Sequence, residues 1–125
     1  MNRTNEFNKM FKKIELIENN RSKFRPDEIR LAKSNNNGPV SRFIMSKELS
    51  ESLPWIENDS LDLYQATKNL FAIVPAKAGL LTLKTKGKSF QINSTDLCVT
   101  LKSITQSTSF SGWVDDDKLF FRTNK

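Results

Sequence analysis

Apolar positions recur along the chain with two periods, one helical and one strand-like. In "TNEFNKMFKKIELIEN" (4–19), Phe7, Met10, Phe11, Ile14 and Ile17 fall at i, i+3, i+4, i+7 and i+10, one stripe of an amphipathic helix. Thr4 or Asn5 can cap it, and Glu6 places a carboxylate at its positive end. From Pro26 onward the pattern changes. "EIRLAKS" alternates, "NNNGP" is turn chemistry, and "VSRFIM" returns as a second strand. "SKELSESLPWI" has Ser46 as N-cap, Leu49 and Leu53 four apart, and Pro54 as a stop, so it predicts a short helix. "SLDLY" and "LFAIV" predict a second hairpin, closed by Pro75.

The second half follows the same plan. "LLTLKT" and "SFQI" flank the turn "KGK", and "STSFSGWV" and "KLFFRT" flank "DDD". Between them "NSTDLCVTLKSI" has a cap at Ser94 or Thr95, but Val99 and Thr100 are β-branched, so 94–104 reads as either helix or strand. Laying 42–74 over 89–123 pairs Phe43 with Phe90, Leu49 with Leu97, Leu53 with Leu101, Tyr64 with Trp113 and Phe71 with Phe120. The expectation is an α+β, β-rich fold. An N-terminal amphipathic helix (1–20) precedes a β-rich domain (21–125) made of two hairpin–short helix–hairpin units, 27–75 and 80–123, either a duplication or strands that align because they alternate alike.

Composition narrows the function. The 125 residues are 37% hydrophobic and 27% charged, which is globular, and no run of about 18 apolar residues predicts a membrane span. The first residues lack a signal-peptide apolar region, and the single cysteine, Cys98, permits no intrachain disulfide, so a cytoplasmic setting is expected. There is no histidine, which removes the commonest general base and metal ligand; no enzyme, cofactor or metal is expected. Asp115–Asp117 lack the spacing of a calcium loop and read as a solvated turn. Cys98, between Leu97 and Val99, reads as a small buried hydrophobe.

Net charge is +6, of which residues 1–42 hold +5. Segregated positive charge points to a polyanion. Arg25, Arg30, Lys33, Arg42, Lys84, Lys86 and Lys88 alternate along the hairpins, where they can follow phosphates or, equally, serve as solvated edge lysines. Most of the aromatics, including Phe43, Phe71, Phe90 and Phe120, fall on expected core positions; Trp55, Trp113 and Phe121 are less clearly inward, which leaves base stacking on a single strand as a competitor. The Phe7, Met10, Phe11, Ile14, Ile17 stripe either packs on the domain or docks a partner or second copy.

Residues 28–75 resemble the AbrB/MazE-type swapped-hairpin DNA-binding domains. The matching run is "SRFIMSKELSESLPWIENDSLDLYQATKNLFAIVP". Arg42 stands at the motif arginine, Phe43 at its apolar partner and Met45-Ser46 at Ile-Pro; Leu49 and Leu53 stand at the helix leucines, and Asn58-Asp59 at Gly-Asp. The motif proline is replaced by Ser46, the glycine by Asn58, and a basic position by Ser50. The resemblance implies an interlocked core, self-association as a dimer, and duplex DNA bound through the basic first hairpin. Twelve Asn and fourteen Lys fit an AT-rich bacterial or bacteriophage source. The expected function is a small DNA-binding protein, a transcriptional regulator or phage early protein. The alternatives are an inhibitor or adaptor that docks a partner protein, or a single-strand binder.

Overall fold

The computed structural model describes residues 24–124. Eight strands, β1 (Glu28–Lys33), β2 (Val40–Met45), β3 (Ser60–Thr67), β4 (Leu70–Pro75), β5 (Leu81–Lys86), β6 (Ser89–Asn93), β7 (Ser109–Asp115) and β8 (Lys118–Thr123), accompany two helices, α1 (Lys47–Ser52) and α2 (Thr95–Thr105). The strands close into one antiparallel barrel in the order β1-β2-β6-β5-β3-β4-β8-β7, with β7 paired back to β1.

This corrects the α+β expectation. Among the described residues the four hairpins join into a single closed β-barrel rather than an α+β arrangement. Each hairpin carries an apolar inner face, and closure gives every strand a neighbour on both sides, which an open sheet cannot do. The expected helix over 1–20 lies outside the described residues.

Within the barrel, the four local hairpins alternate between the two halves of the chain: β1–β2, then β6–β5, then β3–β4, then β8–β7. The seams between them, β2–β6, β5–β3, β4–β8 and β7–β1, all join residues of 28–75 to residues of 81–123. Exchanging β1–β4 for β5–β8 leaves this pairing scheme unchanged. The halves also cap their helices alike: the Leu49 N–H donates to Ser46 Oγ at 3.2 Å and the Leu97 N–H to Ser94 Oγ at 3.1 Å. That cap, with Leu97, Cys98 and Leu101 buried on one side, makes 94–104 helical despite its β-branched residues.

The barrel interior is filled by the alternate side chains that point inward, among them Ile29, Phe43, Leu61, Phe71, Ile73, Leu83, Ile92, Phe110, Leu119 and Phe121. Phe121 is the hub of this core, with ring centroids 5.3 Å from Phe43, 5.4 Å from Phe71 and 5.5 Å from Phe110. One expectation for the aromatics changes, that Phe120 lies in the core. Of the consecutive pair Phe120-Phe121, it is Phe121 that enters the core and Phe120 that faces outward; Phe90 is half-buried at the core's margin. Trp55 is buried, and its indole N–H donates to the Asp117 carbonyl at 2.7 Å, tying the α1–β3 loop to the β7–β8 turn. The β3–β5 seam is short, with Ser60 opposite Thr82 and Leu61 opposite Leu81. Gly79 lets the chain approach there: a Cβ on it would lie 2.2 Å from the Leu61 carbonyl oxygen.

Candidate nucleic-acid interface

The barrel divides charge between two outer walls. Strands β1, β2, β5 and β6 carry Arg30, Lys33, Arg42, Lys84 and Lys86 against a single carboxylate, Glu28. Strands β3, β4, β7 and β8 carry Lys118 and Arg122 against Asp62 and Asp115. Register places Arg30, Ile44, Gln91 and Lys84 in one row across the first wall, with Ala32, Arg42 and Asn93 in the next. Lys88 continues the wall beyond the Gly87 turn, where φ is 63°.

The cations of this wall differ in what they already hold. Arg30 is committed: its Nε donates to Oε2 of Glu28 at 2.6 Å, and its guanidinium carbon lies 4.4 Å from the Phe24 ring centroid. Glu28 also accepts from the Arg25 backbone N–H at 3.0 Å. Burial pushes the Glu28 carboxyl up, but the Arg30 hydrogen bond, the Arg25 backbone bond and the two arginine charges outweigh it and hold the group below its ordinary value. Arg42 donates from Nη2 to the Lys33 carbonyl at 2.8 Å, an acceptor that leaves its charge unneutralised. Lys84 donates to the Asn58 side-chain oxygen at 2.9 Å. The side chains of Lys33, Lys86 and Lys88 hold no partner among the described residues.

Six of the seven basic residues singled out in the sequence therefore lie on one wall or its turn. Arg25 does not join them; its Nε lies 3.9 Å from Asp27 and 3.8 Å from Glu28. With Arg122, it lines a polar cleft of about 520 Å³ that also includes Asn69, Ser111, Thr123 and Asn124. The stripe Phe7, Met10, Phe11, Ile14 and Ile17 lies outside the described residues.

On the second wall, register aligns Trp113, Phe120, Ala72 and Tyr64 in one outward row crossing β7, β8, β4 and β3. The Trp113 and Phe120 rings are stacked, with centroids 5.8 Å apart and planes 14° apart. The Arg122 guanidinium carbon sits 5.9 Å from the Trp113 ring centroid. Trp113 is 42% exposed and Tyr64 57%. Sequence reading did not assemble this row, because it joins two hairpins from different halves of the chain through the β4–β8 seam. The available signal was the parity of "KLFFRT", where consecutive phenylalanines must face opposite sides of a strand.

Cys98 is fully buried, and desolvation pushes its thiol up to about 12. No group of three or more metal-capable side chains occurs among the described residues, Asp115–Asp117 included. No described helix is long and apolar enough to cross a membrane. Compared with known proteins, the chain matches no family model, no curated protein and no solved structure.

Proposed function

We propose that the protein binds duplex DNA, laying the wall of β1, β2, β6 and β5 against the phosphates. One observation carries this reading: the four strands of that wall hold five lysines and arginines and one carboxylate, while the other four strands are balanced. A cationic stripe on one side of a small protein both steers a polyanion and releases counterions when it docks. Lys33, Arg42, Lys84, Lys86 and Lys88 are the phosphate contacts. Arg30 is removed from that set, since Glu28 neutralises it. Regulation of transcription, in a bacterial or bacteriophage setting, is the biological role that fits such a protein.

Two details favour a swapped-hairpin unit of the AbrB/MazE type. Asn58, at the position where that family's pattern has glycine, has φ 73°, in the left-handed region glycine favours. Ser46, at the motif proline, starts α1 as its N-cap. Interleaving of the two halves within one chain supplies the interlocked core that the resemblance otherwise asks of a dimer, so in this reading a monomer is competent to bind. Titrating a labelled duplex at several salt concentrations tests the proposal. Retardation that weakens steeply with salt supports it, and absent or salt-independent retardation rejects it.

A further inference from the structure

We infer that the wall opposite the cationic one is a separate binding site for single-stranded nucleic acid, in which a base stacks on the Trp113–Phe120–Tyr64 row and a phosphate enters the Arg25–Arg122 cleft. The inference does not rest on duplex binding, because none of its residues lies on the cationic wall.

Three features of this wall complement a nucleotide unit. First, the aromatic row is interrupted by its one small member. Ala72 separates Phe120 from Tyr64 by two strand spacings, about 10 Å, leaving a trough floored by a methyl group and bounded by rings on both sides. Planar bases stack in such places irrespective of sequence. Second, the neighbouring outward row is Ser111, Arg122 and Leu70, two residues further along each strand and so about 7 Å away, within one nucleotide's reach. Third, the cleft at that end is lined by two arginines and four neutral polar residues with no carboxylate. Arg25 faces Asp27 and Glu28 only at 3.8–3.9 Å, and Arg122 has a ring contact but no hydrogen bond or ion pair among the described residues. Its planar fork is available for a phosphodiester. The carboxylates of this wall, Asp62 on β3 and Asp115 with Asp116 and Asp117 at the β7–β8 turn, lie on the other side of the aromatic row from the cleft, away from a strand running from trough to cleft.

Tryptophan fluorescence of the full chain tests this directly, because Trp55 is 4% exposed and Trp113 is the accessible indole. Titration with a single-stranded thymidine 12-mer should quench Trp113. Arg122→Gln should weaken that binding by about fivefold and reduce its dependence on salt. Tyr64→Ala should weaken it by about tenfold, and Ala72→Leu, which fills the trough, should abolish it. Circular-dichroism melts of the three variants confirm that the barrel is intact; each change is at an outward position. The triple variant Lys84→Gln, Lys86→Gln, Lys88→Gln should lose duplex affinity and keep the 12-mer signal, which separates failure of this site from failure of the cationic wall. The inference is overturned if the 12-mer leaves Trp113 unquenched, if folded Arg122→Gln and Ala72→Leu bind it as the parent does, or if thymidine monophosphate binds as tightly as the 12-mer.

Discussion

Replacing Arg30 with methionine separates a structural arginine from a DNA-binding one. The Arg30 side chain is 21% exposed and that of Glu28 8%, and their closest approach is 2.6 Å. Methionine keeps much of the stem's packing but leaves the carboxylate without its strongest partner. A charge-assisted hydrogen bond contributes about 1.5–3 kcal/mol, and stripping one partner from a fully buried pair costs about 3–5 kcal/mol. Glu28 keeps the Arg25 backbone N–H at 3.0 Å and has Ser109 Oγ at 3.4 Å, so the lower range applies. The expected loss is about 2 kcal/mol at pH 7.

The pH dependence fixes the cause. Folding lowers the Glu28 carboxyl below its ordinary 4.5. The stability this supplies is therefore complete above about that pH and fades as pH falls through the lower folded-state value. Urea unfolding at pH 7 and pH 3 should show a midpoint deficit of roughly 1.3 M for Arg30→Met at pH 7, taking a slope of about 1.5 kcal/mol/M. At pH 3 the two proteins should lie much closer. Duplex affinity should be unchanged. An equal deficit at both pH values, or lost affinity without lost stability, would refute the assignment of Arg30 to Glu28.

Other expectations follow from the core and the seams. Phe121→Ala removes the ring that Phe43, Phe71 and Phe110 share and should cost about 3–5 kcal/mol in chemical denaturation; a loss below 1 kcal/mol would show that the interior is not packed around it. Gly79→Ala forces the β3–β5 seam apart at its 2.2 Å approach and should lower the melting temperature by several degrees. Hydrogen exchange should locate the new opening at Ser60–Leu61 and Leu81–Leu83. Cys98, buried with its thiol near 12, should resist an aromatic disulfide reagent at pH 8 in the native protein and react on unfolding.

The local elements were legible because their causes are local. The "NNNGP", "KGK" and "DDD" turns, the Ser46 cap and the Pro54 stop all sit where the chain places β1–β2, β5–β6, β7–β8 and α1. Closure was not legible, because alternation of Ile29 and Leu31, or of Leu81 and Leu83, is the same in an open sheet and in a barrel. The seams that decide between them join residues far apart in sequence, such as Phe43 with Ile92 and Phe71 with Phe121. The same holds for the candidate interface. The basic residues could be named one by one, but that Arg30 is neutralised and that Lys84 stands in its row three strands away depends on the closed order. Helix against strand at 94–104 turned on burial of Leu97 and Leu101, which β-branching at Val99 and Thr100 could not outweigh.

The claim that one wall of the barrel meets the phosphates is tested most directly by the salt dependence of duplex affinity in the parent protein and in the triple variant Lys84→Gln, Lys86→Gln, Lys88→Gln. Each lost phosphate contact should flatten the slope of log affinity against log salt by about 0.9, so the variant's slope should be shallower by two to three of these steps (~1.8–2.7), with weaker binding to every duplex sequence. Parallel slopes for the two proteins would contradict the account.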